Sequence, residues 1–260
     1  MISDKRPTLA EMAEVVDTAA KDVKPIAQFT TMFDLDSVDA YAVQQLSIGR
    51  RLARGETMVG VKMGLTSRAK MIQVGVDEII WGRLTSGMRV TDGDTISVAD
   101  YVHPRLEPEI AFLMGAPLSG KVTAVEAMAA VDAVAPAGEI IDSRYENFKF
   151  AASDVIADNA SSSGFVVGGW ADPATPIDNL GMTVERNGRP EQAGSSAAIL
   201  GDPVRSLVEA SRLLGEAGVR LEPGWILMAG GATAAIPLAP GESYRVVVEN
   251  LGRVGFSTTD

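Results

Sequence analysis

The sequence predicts an α+β fold in which a mixed, mainly antiparallel β body follows an N-terminal helical lobe. Three observations carry that expectation. Helical punctuation is concentrated before residue 55, short apolar or alternating segments dominate afterwards, and 26 glycines among 260 residues supply tight turns. A single catalytic domain over 1–260 is expected, with 1–55 as the helical lobe and 56–260 as the β body that carries the site.

The elements follow in order. Thr8-Leu-Ala-Glu11 reads as a capping box that starts a helix. Asp36 or Ser37 caps a second helix that places Val38, Tyr41, Ala42 and Leu46 on one face and ends by Gly55. MVGVKMGL (58–65) is an apolar strand, and Thr66 or Ser67 starts a short helix ending near Gly75, so Lys62 is expected at a mouth. From Thr95 onward short strands dominate, interrupted by one helix from Thr123 to about Ala135 and another from Asp202 to Gly218. Asn187-Gly188 is a hairpin signal, and YRVVVENLGRVGFST reads as a final strand pair about Asn250 to Gly252.

Composition removes several classes of function. Asp and Glu number 34 against 23 Lys and Arg, so there is no basic footprint for nucleic acid or an anionic membrane. Cysteine is absent, which excludes disulfides, thiolate metal sites and cysteine nucleophiles. With His103 as the single histidine, no zinc site of two or three imidazoles can be built. The N-terminal segment has no apolar core of signal-peptide length, and the long uncharged stretch Pro223 to Pro240 holds three prolines and three glycines. A cytoplasmic chain without a membrane span is expected.

HPRLEPEIAFLMG (103–115) is the most informative segment. As a strand it points Arg105, Glu107, Glu109 and Ala111 one way and Leu106, Ile110 and Phe112 into the core. Side-by-side carboxylates repel unless a positive charge lies between them, and Pro108 implies an edge or bulge there. On this segment alone a solvated face pairing with Arg105 explains the glutamates equally well. Glu139, at the start of another apolar strand after the Thr123 helix, adds a third acid where a charge is hard to place. Three carboxylates without nitrogen or sulfur partners point to a hard cation, Mg²⁺ or Mn²⁺, with coordination positions left for substrate.

These stretches carry a resemblance. VGVKMGLTS (59–67), GVDEIIWGRL (75–84), HPRLEPEIAF (103–112), GEIIDSRYENFKF (138–150), DVIADNASSSGFVVGG (154–169) and GWILMAGGATAAIPL (224–238), in this order, resemble the 2-oxopent-4-enoate hydratase and 4-oxalocrotonate decarboxylase branch of the fumarylacetoacetate hydrolase superfamily. The resemblance implies a mixed β-roll of the superfamily's C-terminal-domain type and a metal held by Glu107, Glu109 and Glu139. It implies 2-oxo acid substrates that chelate that metal through the 1-carboxylate and 2-oxo group. DSRYENFKF and GWILMAGGATAA look more like the decarboxylases, whose substrate, 2-oxohex-3-enedioate, arises in meta-cleavage catabolism of aromatic compounds. Loss of CO₂ sends two electrons through the C3=C4 bond toward the 2-oxo oxygen, where the cation acts as the sink.

Further roles follow from that reading. Lys62 is the expected second electrophile and proton source. In GVDE, Asp77, more than Glu78, is the acid or base that the resemblance suggests. Ser161 and Thr233 are candidate donors to the substrate carboxylate, with Gly230 and Gly231 allowing close backbone approach. Arg105 and Arg144 are each able to clamp a substrate carboxylate or to partner the acidic residues, and Arg144 is the favoured substrate ligand. Trp81, Phe148 and Trp225 are expected mainly as core, and His103 as a structural neighbour of the acidic strand. No histidine precedes it, which argues against the His–Glu water activation of the superfamily's hydrolases and for a lyase. The alternatives are a hydratase with the same metal and lysine, and a non-catalytic acidic β domain. The resemblance also implies a homo-oligomer and association with 2-oxopent-4-enoate hydratase.

Overall fold

The structure, a computed structural model, describes residues 6–67 and 78–260. The short helix expected to end near Gly75 falls largely outside these residues, and so does the candidate Asp77.

Thr8 starts α1 (Leu9–Asp22) by the expected reciprocal box: its hydroxyl accepts from Glu11 N–H at 3.3 Å, and the Glu11 carboxylate accepts from Thr8 N–H at 2.7 Å. Asp36 caps α2 (Ser37–Ala53) by accepting from Asp39 N–H at 2.8 Å. The buried face of α2 differs from the expected one. Val38 is 76% and Leu46 44% exposed, whereas Ala40, Val43, Gln44, Ser47 and Ile48 are buried. The reason is polar: the Gln44 amide donates to Trp81 O at 3.0 Å and Ile156 O at 2.9 Å. A buried carboxamide with partners fixes the helix rotation more strongly than exposed aliphatics oppose it. Met12, Val16, Phe29, Val43, Tyr145 and Ile156 form the core of this lobe.

The β body begins with β1 (Met58–Gly64) and β2 (Ile80–Thr85), then β3 (Arg89–Val90), β4 (Thr95–Ser97) and the long β5 (Arg105–Met114). After α3 (Ala124–Ala129) come β6 (Val131–Ile141), α4 (Ala152–Ala157) and β7 (Ser162–Val167). The hairpin β8 (Gly181–Arg186) and β9 (Arg189–Ser195), α5 (Pro203–Glu216), β10 (Ile226–Met228), β11 (Ile236–Pro237), β12 (Ser243–Val248) and β13 (Gly252–Thr259) complete it. One sheet runs β2-β1-β10-β5-β6-β7-β3, with β11 also on β5; the second runs β4-β13-β12-β8-β9. The first sheet curls until β2 lies against β7.

Both predicted turns form. Asn187 and Gly188 take φ of 52° and 73°, the left-handed pair that a two-residue hairpin requires, and Asn250 and Gly252 at 57° and 115° turn β12 into β13. The helix expected to reach Ala135 stops at Ala129, and Glu139 lies near the end of β6 rather than its start. Alanines in VDAVAPAGEII favour helix locally, but pairing with β5 from Leu113↔Ala133 through Arg105↔Ile141 overrides them.

The even-numbered residues Leu106, Ile110, Phe112, Val134 and Ile140 pack against Met182, Val184, Tyr244, Val246 and Phe256 of the second sheet. Gly138 marks the tightest point of this contact. A Cβ there would stand 2.9 Å from Leu106 Cδ1, 3.3 Å from Val166 Cγ1 and 3.4 Å from Val246 Cγ2. Gly138→Ala is expected to destabilise the fold by roughly 1–3 kcal/mol through overpacking. Urea unfolding measures it, and an unchanged midpoint would contradict this packing.

Candidate functional site

Strand alternation places the charged residues on the other face of the curled sheet. Antiparallel register sets Glu107 opposite Glu139 and Glu109 opposite Ala137, so the first pair of Cβ atoms stands roughly 5 Å apart. Two strands away, Lys62 on β1 is in line with Met228 and Ala111, and its side chain reaches back to put Nζ 3.0 Å from Glu139 Oε2. The predicted split of faces on β5 holds: Ala111 continues the charged face, which passes into Ala135, Ala137, Phe165 and Met228.

All four charged groups are removed from solvent. Glu109 is 0%, Glu139 1%, Lys62 4% and Glu107 7% exposed, so the solvated-face reading is excluded. Pro108 occupies a central strand and not an edge. Its carbonyl accepts from Ala232 N–H at 2.9 Å, so its missing donor faces the crossing chain between β10 and β11, where no ladder partner is needed.

Electrostatics follow from this burial. Desolvation drives the Glu109 carboxyl well above the usual range and neighbouring Glu139 adds to it, against the pull of Lys62. Desolvation also raises Glu139, while the Lys62 ammonium lowers it. Burial disfavours the Lys62 charge, yet Glu139, Glu109 and Glu107 outweigh it and hold its pKa above the ordinary lysine value. Glu109 Oε2 accepts from Gly230 N–H at 2.6 Å. Its Oε1 has no hydrogen-bond partner, and the Lys62 ammonium stands 3.0 Å from Glu139 Oε2 as a buried ion pair.

Among the described residues, no group of three or more Asp, Glu, His or Cys side chains converges as a finished metal-ligand set. Among the described residues the counter-charge in this cluster is the Lys62 ammonium. The donor chemistry nonetheless fits a hard divalent cation. Glu109 Oε1 and Glu139 Oε1 are buried without a donor, Glu107 shares their face, and among the described residues no imidazole or thiolate accompanies them.

The turn before β7 supplies Ser161, 4% exposed with an Oγ that has no hydrogen-bond partner. Thr66, which reads in the sequence only as a helix cap, brings a second buried hydroxyl without a partner, and a Cβ on Gly230 would land on it. Gly230, at φ 111°, is therefore required for its backbone to pass this close to Thr66. Thr233 is half-buried, its hydroxyl donating to Ala234 O at 2.9 Å.

Arg144 is committed elsewhere. Its Nε and backbone N–H bind the Asp158 carboxylate, and its terminal nitrogens bind Ser163 Oγ and, at 2.6 Å, Asp158 O. Arg105 lies over the Phe148 ring, 4.0 Å from its centroid. Trp81 is core, stacked on Tyr41 at 5.1 Å. His103 and Val102 are held through backbone N–H groups that donate to Asp142 at 2.5 and 3.0 Å, the structural placement expected for that histidine.

Burial pushes the Asp158 carboxyl up to about 6 from 3.8, against the opposing charge of Arg144. The folded state then holds this proton to higher pH than the unfolded chain does. The stability it contributes is complete below the unfolded value and is lost as pH rises through about 6. The melting temperature of the native protein, measured relative to Asp158→Asn, is expected to fall between about pH 4 and pH 7. A difference that stays flat would refute the assigned shift.

Comparison with known proteins adds three findings. The sequence profile of the fumarylacetoacetate hydrolase C-terminal domain matches residues 74–257. A 4-oxalocrotonate decarboxylase from a Pseudomonas species is 54% identical over 96% of this chain and 98% of its own, and a TodF product hydratase from Pseudomonas putida is 36% identical over 89% and 87%. The solved structure of 4-oxalocrotonate decarboxylase from Pseudomonas putida G7, complexed with magnesium and adipate, superposes with a TM-score of 0.93 at 40% identity, covering 96% of this chain and 97% of that one.

Proposed function

The chain belongs to the fumarylacetoacetate hydrolase family, and from that premise we propose that it is a lyase that decarboxylates 2-oxohex-3-enedioate (4-oxalocrotonate) to 2-hydroxypenta-2,4-dienoate, in meta-cleavage catabolism of aromatic compounds. The observation that carries the reading is the buried carboxylate cluster with the Lys62 ammonium in it, Nζ 3.0 Å from Glu139 Oε2, in a chain 54% identical to a decarboxylase of that name. Glu107, Glu109 and Glu139 would hold a divalent cation, Mg²⁺ or Mn²⁺. When bound, such a cation supplies Lewis acidity toward a chelating 2-oxo acid.

The protein's own groups do the rest. As the C5–C6 bond breaks and CO₂ leaves, its electron pair moves through the C3=C4 bond and negative charge develops on the 2-oxo oxygen. The Lys62 ammonium, held charged by three carboxylates, stabilises that charge in a water-poor setting and holds the proton that converts the enolate to the dienol. Ser161 binds the 1-carboxylate. Arg144 acts by fixing Asp158 and the Ser161 turn. The apolar continuation of the sheet face, Ala111, Ala137, Phe165 and Met228, suits a carboxylate that leaves as a neutral gas, since a cation beside it would stabilise the ground state. Asp77 remains the proposed acid or base in product tautomerisation, and Thr233 a further carboxylate donor. The proposal includes a homo-oligomer, a single catalytic domain with 1–55 as its helical lobe, a cytoplasmic setting and association with the hydratase that consumes the dienol. Among the described residues no helix is long and apolar enough to cross a membrane.

The second reading is 2-oxopent-4-enoate hydration, favoured by the 36% identical hydratase. Purified protein with Mg²⁺ is expected to release CO₂ from 2-oxohex-3-enedioate and to lose that activity on chelation. Formation of 4-hydroxy-2-oxopentanoate from the dienoate without CO₂ release from the diacid would replace the first reading by the second. Lys62→Ala is expected to lower kcat by roughly a hundredfold while the protein still binds Mg²⁺. A change in KM alone would reduce Lys62 to substrate binding.

A further inference from the structure

The turn before β7 contains the one run of three successive non-glycine residues in the left-handed region among the described residues. Asn159, Ala160 and Ser161 have φ of 51°, 52° and 59°, a conformation that L-residues adopt against a steric penalty unless surrounding contacts impose it. Those contacts can be enumerated. Asp158 is gripped by Arg144. Ser161 N–H donates to Asp158 O at 2.9 Å, and Ser161 O accepts from Asp142 N–H at 2.8 Å. Asn159 reaches across the curled sheet: its Oδ1 accepts from Arg83 N–H at 2.7 Å and its Nδ2 donates to Arg83 O at 2.9 Å.

That carboxamide behaves as one residue of a strand. It satisfies both backbone groups of Arg83 and stitches β2 to the start of β7, where no ladder joins them. Only a side chain with a donor and an acceptor in one plane can do this, and asparagine also tolerates the left-handed region better than most residues. Gly82 permits the approach, since a Cβ there would stand 2.5 Å from Asn159 O. With Asp158 and Asn159 both engaged, Ser161 is left with a buried hydroxyl that has no partner. The turn leads directly into Ser162, which pairs with Ile141, two residues beyond Glu139 on β6.

We propose that Asn159 is a positioning residue: its carboxamide, locked onto the Arg83 backbone, holds the left-handed turn so that Ser161 Oγ stays directed at the carboxylate of a bound 2-oxo acid. The inference rests on the substrate pocket proposed above and deepens it by naming what orients its hydroxyl. Asn159 acts through Ser161 and touches no substrate.

A double-mutant cycle tests this. Asn159→Ala, Ser161→Ala and the double variant are measured with Mg²⁺ for turnover of the 2-oxo diacid and, by calorimetry, for binding of adipate as a saturated dicarboxylate probe. Each single change is expected to raise KM and weaken adipate about tenfold, with a smaller change in kcat. The double variant is expected to be no worse than Ser161→Ala within about twofold, because one interaction is lost twice. Penalties that multiply to about a hundredfold in the double variant, or an Asn159→Ala protein that binds as the native one does, overturn the proposal. If the alanine variant does not fold, Asn159→Asp carries the same cycle, since it still accepts from Arg83 N–H. Gly82→Ala, which displaces Asn159 without removing a polar group, is expected to reproduce the rise in KM. Native protein that binds adipate but releases no CO₂ would sink the decarboxylase reading, while the binding cycle still decides the role of Asn159.

Discussion

The structure depends on keeping three carboxylates and one ammonium together in a region that excludes water. Each buried ion costs several kcal/mol in desolvation, and a single lysine cannot neutralise Glu109 and Glu139 at once. The fold meets the excess in two ways. Glu109 is displaced toward its neutral form and takes a backbone hydrogen bond from Gly230, and Lys62 is held charged beside Glu139. What is left, carboxylate oxygens without donors, is an affinity for positive charge built into the ground state of the protein. A site organised for charge that has yet to arrive does not have to rearrange when it does.

Register is what makes that concentration of charge possible. Glu107 faces Glu139 because β5 and β6 pair without slip across this region, and a one-residue slip of β5 would send Glu107 and Glu109 into the apolar layer between the two sheets. That layer therefore acts on the chemistry at a distance. Leu106, Ile110 and Ile140 against Val246 and Tyr244 make the shifted register expensive, so the alternation that builds the core also aims the acids. The N-terminal lobe acts on the opposite side. Gln44 and Tyr41 of α2 bind the backbone of Trp81, the hydroxyl receiving its N–H at 3.2 Å and the amide donating to its carbonyl, which fixes β2 where Asn159 meets it.

These dependencies explain which parts were legible in the amino-acid order. The capping box at Thr8, the Asn187-Gly188 hairpin and the alternation of HPRLEPEIAF are local codes, and each forms as read. The buried face of α2 was not legible, because Gln44 is chosen by carbonyls contributed from residues 81 and 156. Nor was the turn at 158–161, which has no glycine to announce its left-handed backbone. The carboxylates were legible as a group, since a charge in an apolar strand is conspicuous wherever it lies. Thr66 was not, because a threonine after a strand reads as a cap until Gly230 is seen beside it.

The placement of the arginines bears on the direction of the chemistry. A diacid that loses CO₂ must present its leaving carboxylate to surroundings that do not hold it, because a guanidinium fork there would stabilise the charge that the reaction has to disperse. Arg144 lies in the turn network with its donors on Asp158 and Ser163, and Arg105 is stacked over Phe148. Among the described residues the cation beside the glutamates is Lys62, a compact charge on the carboxylate face. Of the two arginines able to clamp a substrate carboxylate, Arg144 is engaged in holding the surrounding turn and Arg105 is set against an aromatic face. A hydratase needs the same enolate stabilisation but has no leaving carboxylate, so the commitment of Arg144 to Asp158 and Ser163 is a feature that decarboxylation uses and hydration does not require.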